Sequence, residues 1–139
     1  MAAFNKYEVF TENLAKKVHD LNGDTLKVML SNTAPNTSTN QVRADATEIG
    51  AGNGYTSGGS AATNSVSRAG GTTSVVGVDI VFTASGGSIG PFRYAILYND
   101  TPTSPADPLI GYWDYGSSIT LNSGETFTVD FGSSMFTLA

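Results

Sequence analysis

The sequence predicts a mainly β protein, an antiparallel β-sandwich or barrel-like body with one N-terminal α-helix. Three observations lead there. Apolar residues recur at helical spacing only between Tyr7 and Leu21. After Gly23 the chain breaks into short apolar-alternating runs separated by Gly, Ser, Thr, Asn and Pro, the pattern of half-buried strands and tight turns. A chain of 139 residues is one ordinary domain with one core, so helix and strands must share it. The expected organisation is a single domain, 1–139, with a helix at about 7–20 and a β body at about 25–139. A Gly-rich loop is expected at about 50–60.

Tyr7, Phe10, Leu14, Val18 and Leu21 are spaced by three and four residues, which places them on one helical face. Glu12 precedes Lys16 by four residues, the favourable orientation for a helical ion pair. Gly23 is the expected helix stop. In Thr25 to Ser31, Leu26, Val28 and Leu30 point one way and Lys27 and Met29 the other, as in a half-buried strand. Asn32 to Asn40 reads as a loop, and Val42 to Ile49 as a short helix after a cap at Asn40. Gly50 to Gly59 holds five glycines and a single anchor, Tyr55. So polar a stretch is expected either to be mobile or to be an arm that a partner orders.

Strands are expected over Ala61 to Arg68 and, once or twice, over Thr72 to Thr83, with turns at Gly70-Gly71 and Ser85 to Gly87. Phe92 to Tyr98 is the strongest strand signal. Phe92, Tyr94, Ile96 and Tyr98 share one face, Ala95 and Leu97 are apolar on the other, and such a strand is central. Pro91 stands at its entrance, where a missing donor does no harm. Asn99 to Pro108 is a connecting loop. Leu109 to Tyr115, Ser118 to Leu121 and Thr126 to Phe131 follow, the last two joined by a hairpin turn at Asn122 to Gly124. Met135 to Leu138 is a candidate terminal strand.

Charged residues are only 14% of the chain, against about a quarter in ordinary domains. The surface must therefore be mostly Ser, Thr, Asn and Gly, which tolerates close packing against other subunits. A net charge of -5 with scattered Lys and Arg argues against nucleic acid as a partner. The absence of cysteine removes disulfides, thiolate metal sites and Cys nucleophiles. No run approaches the ~20 apolar residues of a membrane helix. Glu8 and Glu12 interrupt any signal-peptide core, so the product is expected to be made in the cytoplasm without a classical leader.

His19 is the single histidine and lies beside Val18, at the edge of the helical stripe, which reads as a surface or packing residue. No Ser lies in a Gly-x-Ser-x-Gly elbow. Asp79, Asp114 and Asp130 alternate with apolar neighbours, as solvent-facing strand residues do. Asp114 draws notice because Trp113 and Tyr115 flank it. Asp20, Asn22 and Asp24 bracket Gly23 like the start of a calcium loop, but the later ligand positions are apolar and no Glu follows, so they read as capping and turn chemistry. Gly50 to Gly54 neither follows a strand nor precedes a helix or a Lys, so it is no nucleotide fingerprint. No catalytic residue, metal site or cofactor is expected. Trp113 and Tyr115 share a strand face and are candidate glycan-stacking residues, with core packing as the competing reading.

Two stretches carry a family resemblance: Phe4 to Tyr7 with the helix and Asp24 to Pro35, and Gly86 to Asp100 with Leu109 to Gly116 and Gly124 to Phe131. Together they resemble small virion structural proteins of tailed bacteriophages, some of them head decoration (cement) proteins. The resemblance implies a non-enzymatic protein on the capsid surface, bound to the major capsid protein and assembled as a homo-oligomer, with no nucleic acid or membrane partner. Tyr7, Phe10 and Leu14 on the helix and Tyr55 in the Gly-rich loop are the candidate contact residues. A tail or fibre component and a carbohydrate-binding module are the alternatives.

Overall fold

The computed structural model describes residues 2–139. The elements run β1 (Phe4–Lys6), α1 (Val9–Ala15), β2 (Leu26–Ser31), a 3-10 turn (Arg43–Asp45), β3 (Ser60–Ala61), β4 (Ser65–Ala69), β5 (Thr72–Val76), β6 (Ile80–Thr83), β7 (Ile89–Asn99), β8 (Leu109–Leu121), β9 (Thr126–Val129) and β10 (Phe136–Leu138). The main sheet has the order β1-β8-β7-β2-β3, a second sheet β10-β5-β4, and a ribbon β6-β9. Every pairing is antiparallel. The protein is mainly β, as expected. The main sheet ends on β1 and β3 rather than closing into a barrel, and the packing is sandwich-like.

Strand periodicity divides the main sheet into two buried faces. Val28, Leu97, Ala95 and Trp113 join the larger core, which also takes Phe10 from α1, Ile80 and Phe82 from β6 and Val75 from β5. Met29, Ile96, Tyr98 and Leu109 face the other way with Tyr7, against Ala46 and Val9. β2 is thus covered on both sides rather than half-buried. β7 is central, as its sequence predicts, but Phe92 does not share a face with Tyr94. A register shift between them turns Phe92 into the larger core and leaves Tyr94 in the smaller one.

The helix is shorter than its apolar spacing suggests. α1 stops at Ala15, and Lys17 takes a left-handed φ of 64°. The amide of Lys17 donates to Leu14 O at 3.2 Å and that of Val18 to Asn13 O at 2.9 Å. This is the bond pattern of a Schellman stop, made by a lysine and not by Gly23. Leu21 still turns into the core, but from an irregular segment, while Val18 is only half-buried. Val42 to Ile49 forms only the 3-10 turn. The two predicted strands around Gly116 are one, β8, which passes through that glycine at φ 88°. The Asn122 turn exists, with Glu125 N–H donating to Asn122 O at 2.9 Å. It does not make a paired hairpin, because β8 ladders with β7 while β9 ladders with β6. No helix among the described residues is long and apolar enough to cross a membrane.

Candidate functional site

The residues singled out as contacts lie in the chain's own core. Tyr7 is buried, its ring edge-on to Tyr112 at 5.8 Å. Phe10 packs edge-on to Phe136 at 5.6 Å, and Leu14 is half-buried against the same core. Tyr55 is buried beside Phe82. The helical stripe therefore covers the β body: Tyr7, Phe10 and Tyr55 offer no free contact surface, and Leu14 offers only part of its side chain. The reason is geometric: about two amphipathic turns cannot stand apart from a core they can complete.

The aromatic pair is spent in the same way. Trp113 is 3% exposed, wedged between Phe4 and Phe131, each with its centroid 5.5 Å away. Tyr115 is half-buried against Phe127 at 4.9 Å, and burial pushes its hydroxyl up to about 12. Trp113 has no open ring face on which a sugar could stack, which removes the glycan platform.

The densest polar network centres on Glu48, which the sequence did not mark. Its Oε2 accepts from Tyr55 Oη and from Gly58 N–H, both at 2.6 Å. Its Oε1 accepts from Arg43 Nη2 at 2.7 Å and more weakly from Ser57 Oγ at 3.4 Å. Burial alone would raise this carboxyl. The bonds from Tyr55, Arg43 and Gly58 outweigh burial and hold it below the usual carboxylate range. The Tyr55 hydroxyl also accepts from Leu30 N–H at 3.0 Å, and Tyr98 Oη donates to Gly58 O at 2.6 Å. The Gly-rich segment is consequently an ordered loop fastened to β2 and β7, neither a free arm nor loose. Gly59 packs so closely on Val28 O, at φ 76°, that a Cβ there would overlap it. A shallow cavity of about 300 Å³ beside this network is lined by Arg43, Ala44, Ala46, Glu48 and Asp107.

His19 is buried rather than superficial. Its Nδ1 lies 3.0 Å from Asn99 Nδ2, and that same Nδ2 donates to Asp24 Oδ2 at 2.7 Å. Asn99 Oδ1 accepts from Thr101 N–H at 3.1 Å, which orients the amide. Since a carboxylate only accepts, Asn99 Nδ2 is the donor to both groups and His19 Nδ1 accepts. The imidazole proton then sits on Nε2, which is buried without a partner. Burial outweighs the attraction of Asp24 and pushes the imidazole down to about 4.

The other acids are tied into turns and strand pairs. Asp20 Oδ1 accepts from Asn22 and Gly23 N–H, and Asn22 Oδ1 from Val66 N–H. This is the turn chemistry anticipated for the Asp20 to Asp24 stretch. Asp114 is gripped by Arg93 through two bonds of 2.8 and 3.1 Å, which hold it below its ordinary range. Asp79 and Asp130 are exposed, as read, and accept from Phe131 and Gly132 N–H. Among the described residues no three His, Cys, Asp or Glu side chains are grouped to hold a metal.

What remains at the surface is the outward side of the β6-β9 ribbon. Val81 there is 56% exposed, and Val78 just before β6 is 61% exposed. The sequence did signal this side: Val81 alternates with Ile80 and Phe82, which face the core. No protein-family model, curated protein or solved structure matches this chain.

Proposed function

We propose that this chain is a non-enzymatic virion structural protein of a tailed bacteriophage, most specifically a capsid decoration protein. In this reading it binds the major capsid protein, stabilises the head lattice and works as a homo-oligomer on the capsid surface. The observation that carries the reading is where the polar groups are spent. Glu48, Asp24, Asp114 and Asp79 each accept bonds that fasten loops, turns, neighbouring strands or strand ends of the chain itself. Such a body is rigid, and rigidity lets a lattice-bound protein engage at little ordering cost. Many weak contacts repeated over a lattice then suffice, because linked sites raise the effective concentration. The low charge fraction and the resemblance carried by Phe4 to Tyr7, the helix and Asp24 to Pro35, and by Gly86 to Asp100, Leu109 to Gly116 and Gly124 to Phe131, support the same reading.

The test is location and consequence together. An antibody to this chain, imaged on intact particles, is expected to decorate heads. Heads stripped of the chain are expected to open at a lower temperature than complete ones and to recover when it is added back. Label confined to tails, or stripped heads that open at the same temperature, would refute the cement role.

A further inference from the structure

Building on the decoration reading, we propose that the outward face of the β6-β9 ribbon seats on the capsid. We further propose that the surface it meets is basic around a small apolar centre. Three features of the ribbon point there together. Val81, on β6, is one of two exposed large apolar side chains among the described residues, the other being Val78, just before the strand. Register places Val81 opposite Thr128 and Thr83 opposite Thr126, while Ile80, Phe82 and Val129 on the other side fill the core. The outward set, Val81, Thr83, Thr126 and Thr128, is exposed and wholly β-branched. Such side chains have few rotamers to lose, so burying them against a partner costs little entropy.

Charge decides what that partner is. Asp79 and Asp130 lie just beyond the Ile80–Val129 pair, and Glu125 precedes Thr126 at the opposite end. All three are exposed. Each is pinned by accepting a backbone N–H, from Phe131 at 2.9 Å, Gly132 at 2.8 Å and Asn122 at 2.7 Å respectively. Neither Ala69 to Phe92 nor the chain after Arg93 contains a Lys or Arg. The apolar centre is therefore flanked at both ends by fixed carboxylates with no cation along the ribbon. A second copy docked symmetrically on this face would set carboxylate against carboxylate. Lysines or arginines around an apolar spot are the complement.

The design of the test follows from the hydrogen bonds. Asp79→Asn, Asp130→Asn and Glu125→Gln together keep the three acceptor oxygens and delete the three charges, and Val81→Lys places a cation in the exposed centre. Binding is measured by co-sedimentation with heads of the parent phage prepared without this chain, over a range of salt. The Val81→Lys protein is expected to bind at least about tenfold more weakly with an unchanged melting temperature. The triple variant is expected to bind more weakly than wild type at low salt and to lose most of its salt dependence. If both variants bind as wild type does, this face is not the contact and the decoration reading stands. If wild type itself binds no heads, the decoration reading fails and this assignment with it. A wild-type oligomer that Val81→Lys converts to monomers, with head binding unchanged, would give the face to a second copy and overturn the proposal.

Discussion

Acid should weaken this fold through His19, and the size of the effect follows from the buried array. In the folded chain the imidazole is pushed down to about 4, whereas a free histidine titrates near 6.5. Above pH 6.5 neither state carries the proton and the residue is neutral in the balance. As pH falls below 6.5 the unfolded chain takes up a proton that the folded chain refuses, so stability falls. The loss is complete near pH 4, below which both states are protonated. At about 1.4 kcal/mol per unit, the full loss is about 3 kcal/mol. Burial is the main cause of the refusal, and geometry acts in the same direction: a protonated Nδ1 would point its hydrogen at Asn99 Nδ2, also a donor, and Asn99 cannot turn without giving up Asp24 and Thr101. The comparison protein is His19→Asn, whose amide oxygen can still accept from Asn99 but does not titrate. Urea unfolding of both proteins from pH 7.5 to 4 should show wild type losing about 3 kcal/mol more than the variant. Because the chain has one histidine, its C2 proton resonance is unambiguous and should titrate well below 6.5. Parallel stability curves, or a resonance midpoint at 6.5 or above, would refute the reasoning.

The loop clasp gives a second expectation. Glu48→Ala should cost roughly 2–3 kcal/mol in denaturant unfolding, because it strands Gly58 N–H and the Tyr55 hydroxyl proton and takes from Arg43 its shortest bond. It should also speed amide exchange between Gly50 and Gly59 selectively. Gly59→Ala should destabilise by at least about 2 kcal/mol, from left-handed strain and the overlap with Val28 O, read as a fall in urea midpoint. Trp113→Ala should cost roughly 3–5 kcal/mol through the cavity between Phe4 and Phe131, and glycan-array signal should not differ between the variant and wild type. Lys16→Ala should shift stability by less than about 0.5 kcal/mol, because both partners of the Glu12 pair are largely exposed.

Local structure was legible where alternation runs unbroken, and less so at turns, where Gly23 and Asn122 to Gly124 did not do what their residue types suggest. Alternation placed β7 at the centre of a sheet, sorted Leu26, Val28 and Leu30 from Met29, and put Trp113 on one face and Tyr112 on the other. These assignments depend only on a residue's neighbours in the chain. What the tertiary structure alone decided was which apolar faces meet. The Tyr7 to Leu21 stripe looks the same whether a second subunit or the chain's own β body covers it, and the fold gives it to the body. Glu48 stands in an unremarkable polar run, and its importance arises because Tyr55 and Gly58 return to it across the loop while Leu30 and Tyr98 hold the other ends. His19 became a buried base only because Asn99, far along the chain, arrives beside it. Spacing in sequence determined the strand character of the body and the facing of unbroken strands such as β2, but not the Phe92 register shift or the end of α1. Long-range burial and hydrogen bonding, which spacing does not encode, determined which residues are spent on the fold and which are left at the surface.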